Sequence, residues 1–156
     1  MNKQPKNNVD NLSNKSEIIS PQEYSEFIKQ IDLISIRLVS SKTEYSNKIQ
    51  IHIPKNLNAQ IDRKISFDTP SESITTLRVE YNLKMTEGKS PYLAIFTKWL
   101  CIYSYKDIPF DDDYLAIFQK HTLPFHLYPY FRQYVQQETN WAGYPPITLP
   151  FLKFTK

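Results

Sequence analysis

The sequence predicts an α+β fold, with a sheet formed by the first part of the chain and helices formed by the last part. Two observations predict this arrangement. Apolar and polar residues alternate over residues 75–85, and a turn then leads into a second long strand. After Asp111 the apolar residues recur at helical spacing, with an interruption at proline. Strands followed by helices, with hairpin connections, are typical of the α+β class.

The composition of the 156-residue chain suits a single domain in a reducing compartment. The net charge is only +3, and Lys and Arg are scattered along the chain, which argues against a nucleic-acid interface. The single cysteine, Cys101, excludes an internal disulfide. There is no apolar core of a signal peptide, and no apolar run approaches the roughly 20 residues of a membrane helix. We therefore expect a cytoplasmic protein without nucleic-acid binding or membrane insertion.

The chain begins with a polar segment and a short helix. Residues 1–19 are rich in Asn, Lys and Ser and predict a disordered tail, so the folded domain spans residues 20–156. Ser20 and Glu23 have the spacing of a capping box around Pro21, which suits the first helical position. The sequence therefore predicts an amphipathic helix of about ten residues from Pro21.

Several stretches before residue 90 have strand character. Ile34, Ile36 and Leu38 alternate with polar residues, as in a half-buried strand. Apolar residues also alternate over residues 49–53 and, imperfectly, over residues 61–67, with a connection at residues 54–58 between the two stretches. The clearest strand covers residues 75–85, where one face is apolar and the other is charged or polar.

The strand over residues 92–105 differs from the others because it is apolar on both faces. One layer of helices covers one face of a sheet, and a strand of this kind needs cover on both. A partner subunit is the economical source of the second cover, so we expect an oligomer. The two faces consist of Leu93, Ile95, Trp99, Cys101 and Tyr103 on one side and of Tyr92, Phe96, Leu100 and Ile102 on the other.

Two further helices are predicted after residue 110. Asp111, Asp112 and Asp113 precede a short apolar pattern and favour the positive end of a helix dipole. The stretch at 122–124 then interrupts the chain, and a longer helix is expected over about residues 125–140. Prolines keep the remaining tail extended.

The sequence has no recognisable catalytic or metal-binding pattern. His52, His121 and His126 lack metal-ligand spacing with one another or with Cys101, which lies in an apolar strand where a thiol is usually inert. The acidic run that begins at Asp111 fits a helix start better than a metal site. Two glycines leave no phosphate-binding loop. The sequence therefore predicts a protein that is not an enzyme and needs no cofactor.

Aromatic residues make up 14% of the chain, which is more than one small core needs. The surplus either belongs to an exposed apolar groove or forms an intersubunit surface. Its members are Tyr103, Tyr105, Phe110, Tyr128, Tyr130, Trp141 and Tyr144.

The stretch from Tyr128 to Leu149 resembles the corresponding part of SecB-type chaperones. In that family an aromatic residue, Pro, Tyr, a variable residue and Arg open a helix, and further along a Gly precedes an aromatic–Pro pair. The strand pair within residues 74–105 also resembles the long hairpin of the family. The motif positions here are Tyr128, Pro129, Tyr130, Arg132, Gly143, Tyr144 and Pro145.

The resemblance implies a four-stranded antiparallel sheet packed with helices and dimers that pair into a homotetramer. It also implies ATP-independent capture of unfolded or extended client polypeptides. We expect the motif residues, including Arg132, to be structural. We expect Tyr105 and Phe110 to be only partly buried. The residues expected to contact clients are Trp99, Tyr103, Tyr105, Phe110, Tyr128 and Trp141.

The chain also departs from the SecB of the export pathway. That protein is acidic and docks the SecA motor through its acidic surface and a polar C-terminal tail, whereas this chain is slightly basic and stops at Lys156. Docking to SecA is therefore not expected. A dedicated chaperone of an antitoxin, within a toxin–antitoxin–chaperone system, fits at least as well as general export. The alternative is a non-catalytic oligomeric adaptor that presents its sheet to one folded partner.

Overall fold

The computed structural model describes residues 19–46, 56–107 and 111–152. These residues form seven elements in the order α1 (Pro21–Ile28), β1 (Ile31–Tyr45), β2 (Leu57–Ser71), β3 (Ile74–Glu87), β4 (Ser90–Tyr105), α2 (Asp112–His121) and α3 (Leu123–Trp141). The strands make one antiparallel sheet in the spatial order β1-β4-β3-β2. The predicted α+β fold with a four-stranded antiparallel sheet is confirmed. Residues 1–18 of the predicted tail and the alternation at 49–53 lie outside the described residues.

The first two helices begin where the sequence signals predict, whereas α3 begins at Leu123, before the expected residue 125, and contains Pro129 of the motif in its interior. The Ser20 hydroxyl accepts a hydrogen bond from the Glu23 amide at 3.2 Å, and the Glu23 carboxylate accepts one from the Ser20 amide at 2.8 Å. This reciprocal pair satisfies two donors that a helix end leaves free. The Asp111 carboxylate caps α2 by accepting from two backbone amides. Thr122 alone separates α2 from α3, so the predicted break is one residue long.

The helices pack on one face of the sheet. On that face Leu77 and Val79 of β3 are fully buried. Tyr81 stacks on Phe131 of α3, with ring centroids 4.3 Å apart. Phe27 brings α1 into the same core and is also fully buried. We call this side of the sheet the helix face.

Two register shifts in β1 change the face on which its apolar residues lie. The first makes Ile34 the extra residue of a bulge, and the second does so for Val39. These side chains are 54% and 63% exposed. The prediction that Ile34 shares a half-buried face with Ile36 and Leu38 is wrong, because a bulge inserts one residue and reverses the alternation beyond it.

The two faces of β4 are covered to different degrees. Phe96, Leu100 and Ile102 point away from the helix face and are only half-buried. Among the described residues, the ring contacts between helices and sheet all lie on the helix face. Tyr92, predicted to lie with Phe96, is instead only 7% exposed, because the pairing of β3 with β4 shifts register beside it. We call the side opposite the helices the open face.

Candidate functional site

Two of the aromatic side chains predicted to contact clients lie in the core between sheet and helices. Trp99 is 6% exposed and packs edge-on against Tyr134 of α3. Tyr103 is fully buried and packs edge-on against Phe118 of α2. Its hydroxyl lies 3.1 Å from Nδ1 of His126. Both side chains therefore hold the helix layer on the sheet, and a client reaches them only if that layer opens.

The other predicted contact residues differ in position. Tyr105 is 7% exposed, so the expectation of partial burial is wrong for it; it lies two residues after Tyr103 and continues the buried alternation of β4 on the helix face. Phe110 lies outside the described residues. Tyr128 is buried, whereas Trp141 at the end of α3 is 75% exposed. The described members of the set therefore do not form one exposed surface.

The C-terminal motif holds an extended segment against α3. The Tyr128 hydroxyl donates a hydrogen bond to the Pro150 carbonyl oxygen at 2.8 Å. Arg132 donates one from Nε to the Leu149 carbonyl oxygen at 2.6 Å. Its guanidinium also lies over the Phe151 ring, 4.2 Å from the ring centroid. Two side chains, one helical turn apart, thus bind consecutive carbonyls, which every extended polypeptide presents.

The segment from Tyr144 to Leu152 runs antiparallel to α3. Gly143 starts it with a positive φ of 80°, a conformation that favours glycine. The Ile147 amide donates to the Thr139 hydroxyl at 3.0 Å, and the Leu149 side chain is only 1% exposed. The segment is therefore fixed to α3 by both backbone and side-chain contacts.

Large apolar side chains remain exposed on α3 and on the segment beside it. Tyr130 and Trp141 are separated by roughly three helical turns, so they share one side of α3. They are 48% and 75% exposed, while Phe151 and Leu152 are 74% and 38% exposed. We refer to these four residues as the α3 surface; Tyr130 and Trp141 lie on the side of α3 that is turned away from Tyr128 and Arg132, and Phe151 and Leu152 lie on the segment that those two side chains hold. Exposed apolar groups of this size are typical of interaction sites.

Burial shifts the pKa of titratable groups near the core. Burial raises the pKa of the Cys101 thiol to about 12, so the thiol stays protonated and unreactive. Burial also lowers the pKa of His126. Over the described residues, no group of three His, Cys, Asp or Glu side chains is placed to hold a metal ion. What the α3 surface offers is apolar contact, and Tyr128 and Arg132 supply the backbone hydrogen bonds to the C-terminal segment.

Within residues 19–46, 56–107 and 111–152, no helix combines the length and the apolar character needed to cross a bilayer.

The docking of the C-terminal segment is the feature that sequence reasoning missed. The sequence predicts an extended tail but not its contact with α3. A signal is nevertheless present, because Ile147, Leu149 and Phe151 alternate with other residues and so share one side of an extended chain. The flanking prolines obscure this alternation.

No protein-family model matches the chain, and no curated protein matches it in sequence. Among solved structures the chain is similar to a SecB-like chaperone of Mycobacterium tuberculosis, in complex with a ChAD peptide from the HigA1 antitoxin. The TM-score is 0.70 at 20% sequence identity, and the match covers 82% of this chain and 95% of that chain. A protein of unknown function from Streptococcus agalactiae matches with a TM-score of 0.48 at 8% identity, over 78% of this chain and 98% of that one. The chain therefore has the SecB-like fold that the sequence resemblance implies.

Proposed function

We propose that this protein is a chaperone that binds extended or non-native polypeptides without ATP. The observation that carries the proposal is the way α3 holds an extended segment of its own chain. Tyr128 and Arg132 bind backbone carbonyls, and one apolar side chain, that of Leu149, is buried beside them. Backbone hydrogen bonds combined with apolar contacts accept many sequences. A holdase needs this kind of recognition.

The α3 surface supplies the client contacts in this proposal. Trp141 and Phe151 are each exposed by about three quarters; Phe151 belongs to the docked segment, and Trp141 precedes that segment at the end of α3. Each aromatic contact that a client buries contributes on the order of 1 kcal/mol, so several together give useful affinity without strict sequence selection. The buried aromatics of β4 then have a supporting role, and Phe110 stays a predicted contact.

Antitoxins are the client class that we favour. The similar mycobacterial chaperone is in complex with an antitoxin peptide. This chain has a net charge of +3, unlike the acidic chaperone that docks SecA, so export through SecA is the less favoured form of the proposal. In either role, as an antitoxin chaperone or as an export chaperone, the proposed site of action is the cytoplasm.

The proposed assembly is a homotetramer built as a dimer of dimers. Edge strand β1 exposes Leu33, Ile34, Leu38 and Val39 by 39–63%, and within the described chain it has a strand neighbour on one side only. Pairing two β1 strands covers these side chains and satisfies the free backbone groups. In this assembly, the side of α3 that carries the exposed Phe125 forms the contact between two dimers.

Light scattering on the eluting protein tests this assembly. The expected mass is four times the chain mass of 18.5 kDa. A mass equal to that of one chain at micromolar concentration contradicts it.

The test of the function is the aggregation of an unrelated, chemically denatured enzyme after dilution without nucleotide. We expect stoichiometric amounts of this protein to suppress the rise in light scattering, and serum albumin at equal mass to leave it unchanged. If only an antitoxin is protected, the dedicated chaperone is the correct form. If neither an antitoxin nor any unrelated client is protected, the chaperone proposal is wrong and the oligomeric adaptor is favoured.

A further inference from the structure

The open face of the sheet is a second surface, on the side away from the client contacts proposed above. Strand register places its residues in rows across the sheet. Leu100 of β4 pairs with Arg37 of β1 on one side and with Arg78 of β3 on the other, so the three lie in one row. Phe96 and Ile102 lie before and after Leu100 along the same face of β4. Lys98 stands between Phe96 and Leu100, with its ammonium group 5.5 Å from the centroid of the Phe96 ring. The apolar pair of Leu100 and Ile102 is thus flanked by two exposed guanidinium groups.

The four rows from Leu100 to Ala94 carry an excess of positive charge. Six cationic side chains face three carboxylates there, so the net charge of these rows is +3. Two carboxylates are already neutralised, because Lys98 pairs with Glu80 at 2.9 Å and Lys42 pairs with Glu44 at 2.6 Å. We call this region the basic patch; its cations are Arg37, Lys42, Lys64, Arg78, Lys84 and Lys98.

Four cations of the basic patch are available to a partner. Among the described residues, Arg37, Lys64, Arg78 and Lys84 have no ion-pair partner, and all four are exposed. The two arginines on either side of Leu100 can each hold a carboxylate with two parallel hydrogen bonds. The patch therefore offers charge recognition around an apolar centre.

The charges of the chain itself argue against two possible occupants. Residues 1–18 contain three Lys and two acidic residues, while residues 47–55 and 153–156 each contain two Lys and no acidic residue. None of these segments is complementary to a basic surface. A second copy of the open face would bring a net charge of +3 against a net charge of +3, which electrostatic repulsion disfavours. The complementary occupant is an acidic one from another protein.

We propose that the open face docks an acidic polypeptide segment of a partner protein. Its carboxylates pair with Arg37 and Arg78, and its apolar side chains cover Phe96, Leu100 and Ile102. Client capture at the α3 surface and docking at the open face then occur on opposite sides of one sheet. A client and a partner can therefore be bound at the same time.

Fluorescence anisotropy with a labelled peptide of alternating glutamate and leucine tests the proposal. The variant is Arg37→Glu with Arg78→Glu, and the matched control is Lys89→Glu with Lys120→Glu, which changes the charge equally at exposed positions outside the patch. We expect the first variant to weaken peptide binding by roughly tenfold or more and the control to change it by less than about twofold. Since both arginines are exposed, the urea midpoint of the first variant should be that of the wild type.

Four results overturn the proposal. The first is unchanged binding in the Arg37→Glu, Arg78→Glu variant. The second is equal binding of a lysine–leucine peptide of the same length. The third is displacement of the acidic peptide by a denatured client, because the peptide then occupies the α3 surface. The fourth is a loss of oligomeric mass in the double variant, which assigns the open face to a second copy of the chain.

Discussion

Arg132 and Leu149 are joined by a hydrogen bond of 2.6 Å, from the guanidinium Nε to the carbonyl oxygen of Leu149. The side chain of the same leucine is only 1% exposed. One residue of the C-terminal segment is thus held at its backbone and at its side chain. Tyr128 lies one helical turn before Arg132 and binds the next carbonyl, which gives a physical reason for the Tyr–Arg spacing of the motif.

Replacing Arg132 by Ala is expected to lower the free energy of unfolding by about 2 kcal/mol, because a charge-assisted hydrogen bond and the stacking on Phe151 are both lost. Urea denaturation measures this change. Arg132→Lys should recover little, since an ammonium group lacks the planar fork. Arg78→Ala, at an exposed position of the open face, is the control and should change stability by less than about 0.5 kcal/mol. An unchanged urea midpoint in Arg132→Ala contradicts the structural role.

Two leucines of the C-terminal segment provide a matched pair. Leu149→Ala should cost about 3 kcal/mol, because it leaves a cavity at a fully buried position. Leu152→Ala should cost less than about 1 kcal/mol, because 38% of that side chain is already exposed. Thermal or urea denaturation of both variants compares them directly. Equal costs would mean that Leu149 is not the anchor of the segment.

The regular elements follow from local sequence patterns, and the errors occur where local patterns carry no information. The capping box at Ser20 and the alternation along β3 predict their elements well, because each depends on residues close in sequence. The bulge at Ile34 depends instead on the pairing of β1 with a strand far along the chain.

Local sequence patterns are also insufficient to locate the candidate site. Aromatic content predicts a surplus of apolar side chains, but Tyr105 and Trp141 have similar local signals and opposite exposures, 7% and 75%. Tyr105 continues the buried alternation of β4 on the helix face, whereas Trp141 stands at the last residue of α3.

The pH dependence of stability should contain a contribution from His126. Burial lowers its pKa, and burial raises that of Tyr103 well above the ordinary value, so a protonated hydroxyl can donate to the neutral ring at 3.1 Å. The unfolded chain then binds the His126 proton more readily than the folded chain. The stabilisation is complete above the unfolded pKa of about 6.5 and is lost as the pH falls below it.

Urea midpoints at about pH 7.5 and about pH 5.5 test this contribution. The wild type should lose more stability over this range than His126→Gln, whose side chain does not titrate. Glu23 does not interfere, because its pKa is lowered from an ordinary value that already lies below the range. Identical losses in the two proteins would exclude a role of His126.

Cys101 is expected to resist thiol reagents in the folded protein. Its side chain is fully buried, and its pKa of about 12 leaves very little thiolate at neutral pH. Labelling with a chromogenic disulfide reagent should be slow in buffer and rapid in concentrated urea. Rapid stoichiometric labelling in buffer would instead indicate that the sheet and the helix layer separate readily.

The central claim is that extended polypeptides bind at the α3 surface, and the affinity for a labelled, permanently unfolded client tests it most directly. The variant is Trp141→Ser with Tyr130→Ser, and the matched control is Phe67→Ser on β2, which is 44% exposed. We predict that the double variant binds the client roughly tenfold to hundredfold more weakly, with the wild-type urea midpoint and oligomeric mass, while the control binds as the wild type does. Equal affinity of the double variant and the wild type would contradict the claim.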